Sequence, residues 1–376
     1  MAMGTPDRVA VVSSAQTRLR ETWSNLQHVD LIALAVTDVL RGSGLTMKDV
    51  DVVIDCGSDV LDGRSISNCG FLGAMGAHHK EESRVEEDGL FGAVYAASKV
   101  AGGSASVALV VAYSKPSESD IAAYYSTLAE PFYQRPVGID HLVVAGLMAN
   151  QYLTHSGAKD EDLVDIAAHA WRHAAGNPYV ETPVAISADD VRGAQLVADP
   201  LTGLQIARPM DGAVAVLIAN ERVARRLTPR PVWITGMGSA MDSQFLAERA
   251  PGRLEACAAA ATAAYARAGV TDPGVFGLAE VSGASAAAEA MVVEALGLAA
   301  PGHAVERYSG DGPLDLNPSG GAIPADPVMA TGLVRLHEAS ARLGGRSEQE
   351  STASAALVHG AGGLGMQNHC VFTLEV

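Results

Sequence analysis

Three consecutive carboxylates, Glu86-Glu87-Asp88, stand directly before an alanine-rich segment with helical character that runs from Gly89 to the glycine pair at Gly102. Carboxylates suit a helix start because they face the positive end of the helix dipole, which also keeps them ionised. They read as a solvated acidic cap or as a general base. Asp326 precedes Pro327, and a proline fits the first turn of a helix whatever its neighbour does. His359 ends an apolar strand pattern, Ala355 to His359, and is followed by the turn Gly362-Gly363-Leu364-Gly365. A histidine there is either a satisfied core residue or an acid–base group. Ser282 opens the small-residue turn Ser282-Gly283-Ala284-Ser285, where its hydroxyl can donate a hydrogen bond. The four cysteines, Cys56, Cys69, Cys257 and Cys370, are scattered without a CxxC pair, as expected of reduced and mostly buried thiols in a cytosolic protein. Cys69, between Asn68 and Gly70, reads as part of a turn. His78 and His79 are adjacent, so they cannot face one way on a regular element, and no metal site is expected.

The 376 residues are 48% hydrophobic and 18% charged, a globular composition long enough for two core-sized units. Short β-branched runs alternate with helical spacing. Arg8 to Ser13 and Val52 to Ile54 read as strands around a helix near Asp30 to Arg41, and Val107 to Val111 reads as a strand covered on both faces. The order repeats: a strand at Val232 to Thr235, a helix within Ala247 to Ala268, a strand at Val275 to Val281, a helix at Ala286 to Leu298, and a helix at Pro327 to Leu343. Two strands, Ala355 to His359 and Cys370 to Leu374, follow. The pattern predicts two similar halves, residues 1–225 and 226–376, with a helical insertion of about 114–194 forming a lobe on the first. The net charge of −17 argues against nucleic acid or an anionic membrane surface as partner. Met1 to Arg8 is polar and no apolar run reaches about 18 residues, so the expectation is a cytoplasmic protein with no membrane span.

Several strings resemble the thiolase superfamily, especially its sterol-carrier and archaeal branch. They are Ala198-Asp199-Pro200-Leu201-Thr202-Gly203-Leu204 with Met210-Asp211-Gly212-Ala213, then Asn317-Pro318-Ser319-Gly320-Gly321-Ala322-Ile323, then Gly362 to Gly365. The resemblance implies an α/β fold of two βαβαβ halves in α-β-α-β-α layers. It also implies four catalytic positions: a nucleophilic cysteine at a helix start, an activating histidine before a proline, an oxyanion motif, and a second cysteine. Transferred to this chain, these positions fall on Glu86 (or Glu87 or Asp88 with a shift in register), Asp326, Ser282 and His359. A carboxylate beside a thiolate would repel it, so the first two replacements agree with each other. Gly320, Gly321 and Gly363 are the positions assigned to contact with a coenzyme A thioester, and no other cofactor is expected.

Two readings follow. One is a thiolase-like subunit that binds or acts on acyl-CoA without a cysteine nucleophile, in a dimer or tetramer with a catalytic thiolase-like subunit or with an OB-fold and zinc-ribbon partner. The other is a stand-alone acyltransferase or retro-aldol carbon–carbon lyase that uses His359 and a carboxylate.

Overall fold

The computed structural model describes residues 8–182, 186–309, 312–347, 349 and 351–376. The reading of the extreme N-terminus therefore falls mostly outside the described residues. The first run comprises β1 (Val9–Gln16), α1 (His28–Ser43), β2 (Val52–Cys56), α2 (Asn68–Met75), β3 (Glu81–Val85), α3 (Gly89–Ala101) and β4 (Val107–Ser114). A helical connection follows, with α4 (Ile121–Leu128), α5 (His141–Ser156), α6 (Asp160–Ala174), α7 (Ala188–Gly193) and the small strands β5 (Leu196–Ala198) and β6 (Leu201–Thr202). Then come β7 (Gly212–Asn220), α8 (Glu221–Leu227), β8 (Val232–Met241), α9 (Glu255–Ala268), β9 (Leu278–Glu280), α10 (Ala286–Ala295), β10 (Asp315–Leu316), α11 (Thr331–Leu343), β11 (Ala355–Gly362) and β12 (Asn368–Glu375).

Ten strands form one mixed sheet in the order β10-β9-β11-β12-β8-β1-β7-β4-β2-β3. Its two flanks carry the same connectivity. β3-β2-β4 are parallel and β4-β7-β1 antiparallel on one side; β10-β9-β11 are parallel and β11-β12-β8 antiparallel on the other. The flanks join through the antiparallel pair β1–β8. The expected boundary at 225/226 falls inside α8, between the two runs. Helices α3 and α11 pack against each other in a central apolar core with residues of both flanks, including Ile54, Val110, Leu333 and Val358. Helices α1 and α2 cover the outer face of the first flank, and α9 and α10 that of the second. The layers are α-β-α-β-α. No described helix is long and apolar enough to cross a membrane.

Several elements differ from the sequence expectation for physical reasons. The insertion runs from the end of β4 to the start of β7, and α5 and α6 pack on α10 in the core of the second half, so the lobe caps that half instead of riding on the first. β7 is fully buried between two strands, which its unbroken apolar sequence allows. β3 is a polar edge strand without an apolar face, so hydropathy does not reveal it. The strand expected at Val275–Val281 shortens to Leu278–Glu280, because a 3₁₀ turn capped by Asp272 takes Pro273–Val275. Cys69 lies within α2, not in a turn.

Candidate active site

Helices α3 and α11 both begin at one partly enclosed cavity, and an aspartate stands before each of these starts. The cavity lies between these starts, the Ser282–Ser285 turn, the Gly362–Met366 turn and the lobe helices α4 and α5. Asp88 is the N-cap of α3 and is 1% exposed. It accepts the Leu90 N–H at 2.9 Å, in its own helix, and the Gly332 N–H at 2.7 Å, in the first turn of α11. One side chain thus fastens both helix starts. Burial pushes its carboxyl up to about 8 even though the two N–H groups favour the ionised form. Desolvation therefore outweighs the dipole that was expected to keep this cluster ionised.

Glu87 is half-buried, accepts the Asp88 N–H at 3.1 Å and the Asn368 amide, and is likewise held above the ordinary carboxyl range by burial. Its place depends on glycine: a Cβ at Gly362 would lie 1.7 Å from Glu87 Oε1, and one at Gly332 would lie 2.1 Å from Asp88 Oδ1. Asp326 takes both of its contacts on Oδ1, from the Val328 N–H at 2.9 Å and the Thr331 hydroxyl. That leaves Oδ2 without a partner among the described residues, and burial again raises the carboxyl. Three carboxyls thus converge on one space, and burial raises each of them above its ordinary value.

The lobe forms the opposite wall, with Tyr124, Tyr125 and His141. His141 opens α5 after the Asp140 cap, stacks on Tyr125 at 5.0 Å, and is kept neutral by burial, with Nδ1 lacking a partner among the described residues. Burial also raises the Tyr125 phenol, so it keeps its proton. Apolar side chains, among them Val144, Met148, Ile206, Met329 and Met366, line the remainder.

The expected site residues separate into groups. Asp326 and Ser282 line the cavity, and so does Gly363. Ser282, however, directs its donors inward: its hydroxyl to the His359 carbonyl at 3.1 Å and its N–H to His359 Nδ1 at 3.4 Å. Glu86 does not face the cavity. Its side chain is 48% exposed and bound to Arg84 at 2.9 Å, whereas Glu87 and Asp88 line the cavity. His359 is fully buried behind the wall, with Nε2 3.0 Å from His369 Nδ1. Burial and the neighbouring His369 lower its basicity far below the ordinary value. Cys257 packs beside this pair, with one candidate ligand atom from each residue within 4.8 Å of the others, but His359 already commits both ring nitrogens. Gly320 and Gly321 do not reach the cavity; they fit the loop against Ala174 and Asn317. None of the four cysteines lines the cavity: Cys56, Cys257 and Cys370 are buried with thiols pushed up by burial, Cys370 behind the start of α3 with its thiol toward the Leu90 carbonyl, and Cys69 is on the surface. The lobe groups Tyr125 and His141 were not identified from sequence, and the only signal for them was the aspartate cap before a helix.

Residues 238–375 match the family described as thiolase C-terminal domain-like. Along nearly its whole length the chain is similar to an acetyl-CoA acetyltransferase of Methanothermobacter thermautotrophicus, 25% identical over 375 residues, covering 95% of this chain and 97% of that one. The chain is thus similar to the thiolase superfamily, whose C-terminal domain its residues 238–375 match. It is also 28% identical over 231 residues to the 17-hydroxy-3-oxo-4-pregnene-20-carboxyl-CoA lyase of Mycobacterium tuberculosis, covering 56% of this chain and 57% of that one. Its fold matches a chain of the solved Ltp2-ChsH2(DUF35) aldolase with a TM-score of 0.84, over 99% of both chains at 22% identity.

Proposed function

We propose that this chain is the thiolase-fold subunit of a carbon–carbon lyase that acts on β-hydroxyacyl-CoA thioesters by carboxyl acid–base chemistry, with no cysteine nucleophile and no cofactor beyond the coenzyme A of the substrate. The observation that carries the reading is the convergence of Glu87, Asp88 and Asp326 on a cavity that no cysteine lines. In a retro-aldol step a base takes the β-hydroxyl proton and the carbon–oxygen bond becomes a carbonyl. The bond between Cα and Cβ breaks, and its electron pair passes to the thioester as an enolate. An acid then protonates Cα, releasing an aldehyde or ketone and a shorter acyl-CoA. Such a step needs a base, an acid and hydrogen-bond donors for the enolate oxygen, but no covalent intermediate.

Asp326, with a free Oδ2, and Glu87 are assigned the proton transfers. A carboxyl raised by burial keeps its proton to higher pH than a free one, which suits it to proton transfer in either direction. Tyr125 and His141 supply neutral groups facing them, and Asp88 is a positioning residue. The lyase and aldolase relatives are consistent with this chemistry. By the same resemblance the working form is a cytoplasmic complex with a small OB-fold and zinc-ribbon partner, or with a second thiolase-like subunit.

The test is to purify the chain alone and with the products of neighbouring genes, and to incubate each with β-hydroxyacyl- and β-ketoacyl-CoAs. The reading expects a carbonyl product and a shorter acyl-CoA from the hydroxy substrates, lost in Asp326→Asn. Turnover confined to the complex and indifferent to Asp326→Asn and Glu87→Gln would instead make this chain a non-catalytic subunit.

A further inference from the structure

The charges around the cavity are one-sided. Its lining includes Glu87, Asp88 and Asp326 but no lysine or arginine. The arginine whose charge reaches Asp326, Arg335, is paired with the buried Glu280 at 2.9 Å, and two others packed nearby are committed to main-chain carbonyls. Arg249 donates to Ser243 at 2.7 Å, Leu364 at 3.1 Å and Gly365 at 2.9 Å. Arg208 donates to Pro324 at 3.1 Å and Glu181 at 2.6 Å. The one lining group that could become a cation, His141, is held neutral by its burial. Beyond the carboxyls, the surface offered to a ligand is made of aliphatic and thioether side chains such as Val144, Met148, Ile206 and Met366.

A carboxylate brought into this space would lose its hydration, find no cation, and lie against like charges or force them to stay protonated. We infer that the cavity is a charge filter: it admits acyl groups that carry no carboxylate, and Glu87 and Asp326 are the specificity-determining residues. The inference rests on the acyl-CoA reading and adds the chemical class of the acyl group. It excludes succinyl- and glutaryl-type thioesters and favours uncharged, mainly apolar chains.

The experiment compares glutaryl-CoA with its ω-methyl ester, and the corresponding pair of N-acetylcysteamine thioesters that lack the nucleotide, by calorimetric titration at neutral pH. The methyl ester is expected to bind on the order of 10- to 100-fold more tightly than the carboxylate, which corresponds to a like-charge interaction at the effective dielectric of a protein interior. Asp326→Asn and Glu87→Gln should each narrow the gap. Met148→Lys should reverse it by supplying a cation from the lobe wall, a gain that misfolding cannot mimic. Equal binding of the two ligands, or tighter binding of the carboxylate, overturns the filter and leaves the thioester reading standing. Binding of neither overturns both.

Discussion

The two flanks of the sheet start their central helices at the same place, and each start carries an aspartate, but the two side chains are used differently. Asp88, before α3, has both oxygens occupied by N–H groups, one from each helix. Asp326, before α11, uses one oxygen for its own turn and leaves the other free. The duplicated architecture therefore presents one carboxyl as a fastener and one with an oxygen left open toward the cavity. A buried acid with both oxygens engaged defines geometry, whereas a buried acid with one oxygen left open can exchange a proton with a ligand.

The largest expected effect comes from removing the space in which Glu87 sits. Gly362→Ala places a methyl carbon 1.7 Å from Glu87 Oε1, far inside van der Waals contact, so Glu87 must leave its position. Turnover should fall by at least about 100-fold, measured as product release per chain, with the fold checked by circular dichroism. Asp326→Asn keeps an acceptor for the Val328 N–H and removes the free acid–base oxygen. Its loss should be on the order of 100-fold in kcat with little change in melting temperature. A large loss of stability would mean that Asp326, too, is a fastener.

Asp88→Asn tests the other side of the comparison through pH. A carboxyl that rises from near 4 in the unfolded chain to about 8 in the folded one makes the folded state bind more protons between those values. Stability therefore falls as pH rises from about 4 to about 8. In the variant, urea midpoints measured at pH 5 and pH 8 should differ less than in the parent. The asparagine keeps an N-cap but loses one N–H acceptor, at a cost of about 1 kcal/mol at the lower pH. An unchanged slope would show that Asp88 does not titrate in that range.

His359→Ala should lower stability, by leaving His369 and the Ser282 N–H without a partner in the core, and change kcat less than about threefold. Glu86→Gln should do neither, because its carboxylate sits at the surface on Arg84. A strong effect of either substitution on kcat would move the chemistry away from the cavity described here.

Much of the scaffold was legible because it rests on local signals. The apolar runs of β1, β4, β11 and β12, the helical spacing of α1 and the alanine-rich α3 all report burial on a known period. β3 was not legible, since an edge strand need not carry apolar residues, and the docking of the lobe on α10 is a long-range contact that no local pattern encodes. At the site, motif order led to a turn of chain that lines the cavity, but it named Glu86 first, and Glu86 is not among the lining residues. Glu86, Glu87 and Asp88 are consecutive, and only the turn into α3 decides which two face inward. His359 shows the opposite failure. Its place at a strand end before a glycine turn looks catalytic, yet strand alternation points its ring to the outer face of the sheet, onto His369 and Cys257.

The central claim is that chemistry in this cavity proceeds through carboxyls and not through a thiol. The most direct measurement is intact-mass spectrometry of the chain, with its partner, during turnover of a β-hydroxyacyl-CoA, repeated after treatment with iodoacetamide. The account predicts a carbonyl product and a shorter acyl-CoA, no mass added to the chain at any time, and turnover unaffected by alkylation. An acyl group captured on Cys56, Cys69, Cys257 or Cys370, or activity abolished by the alkylating agent, would contradict it.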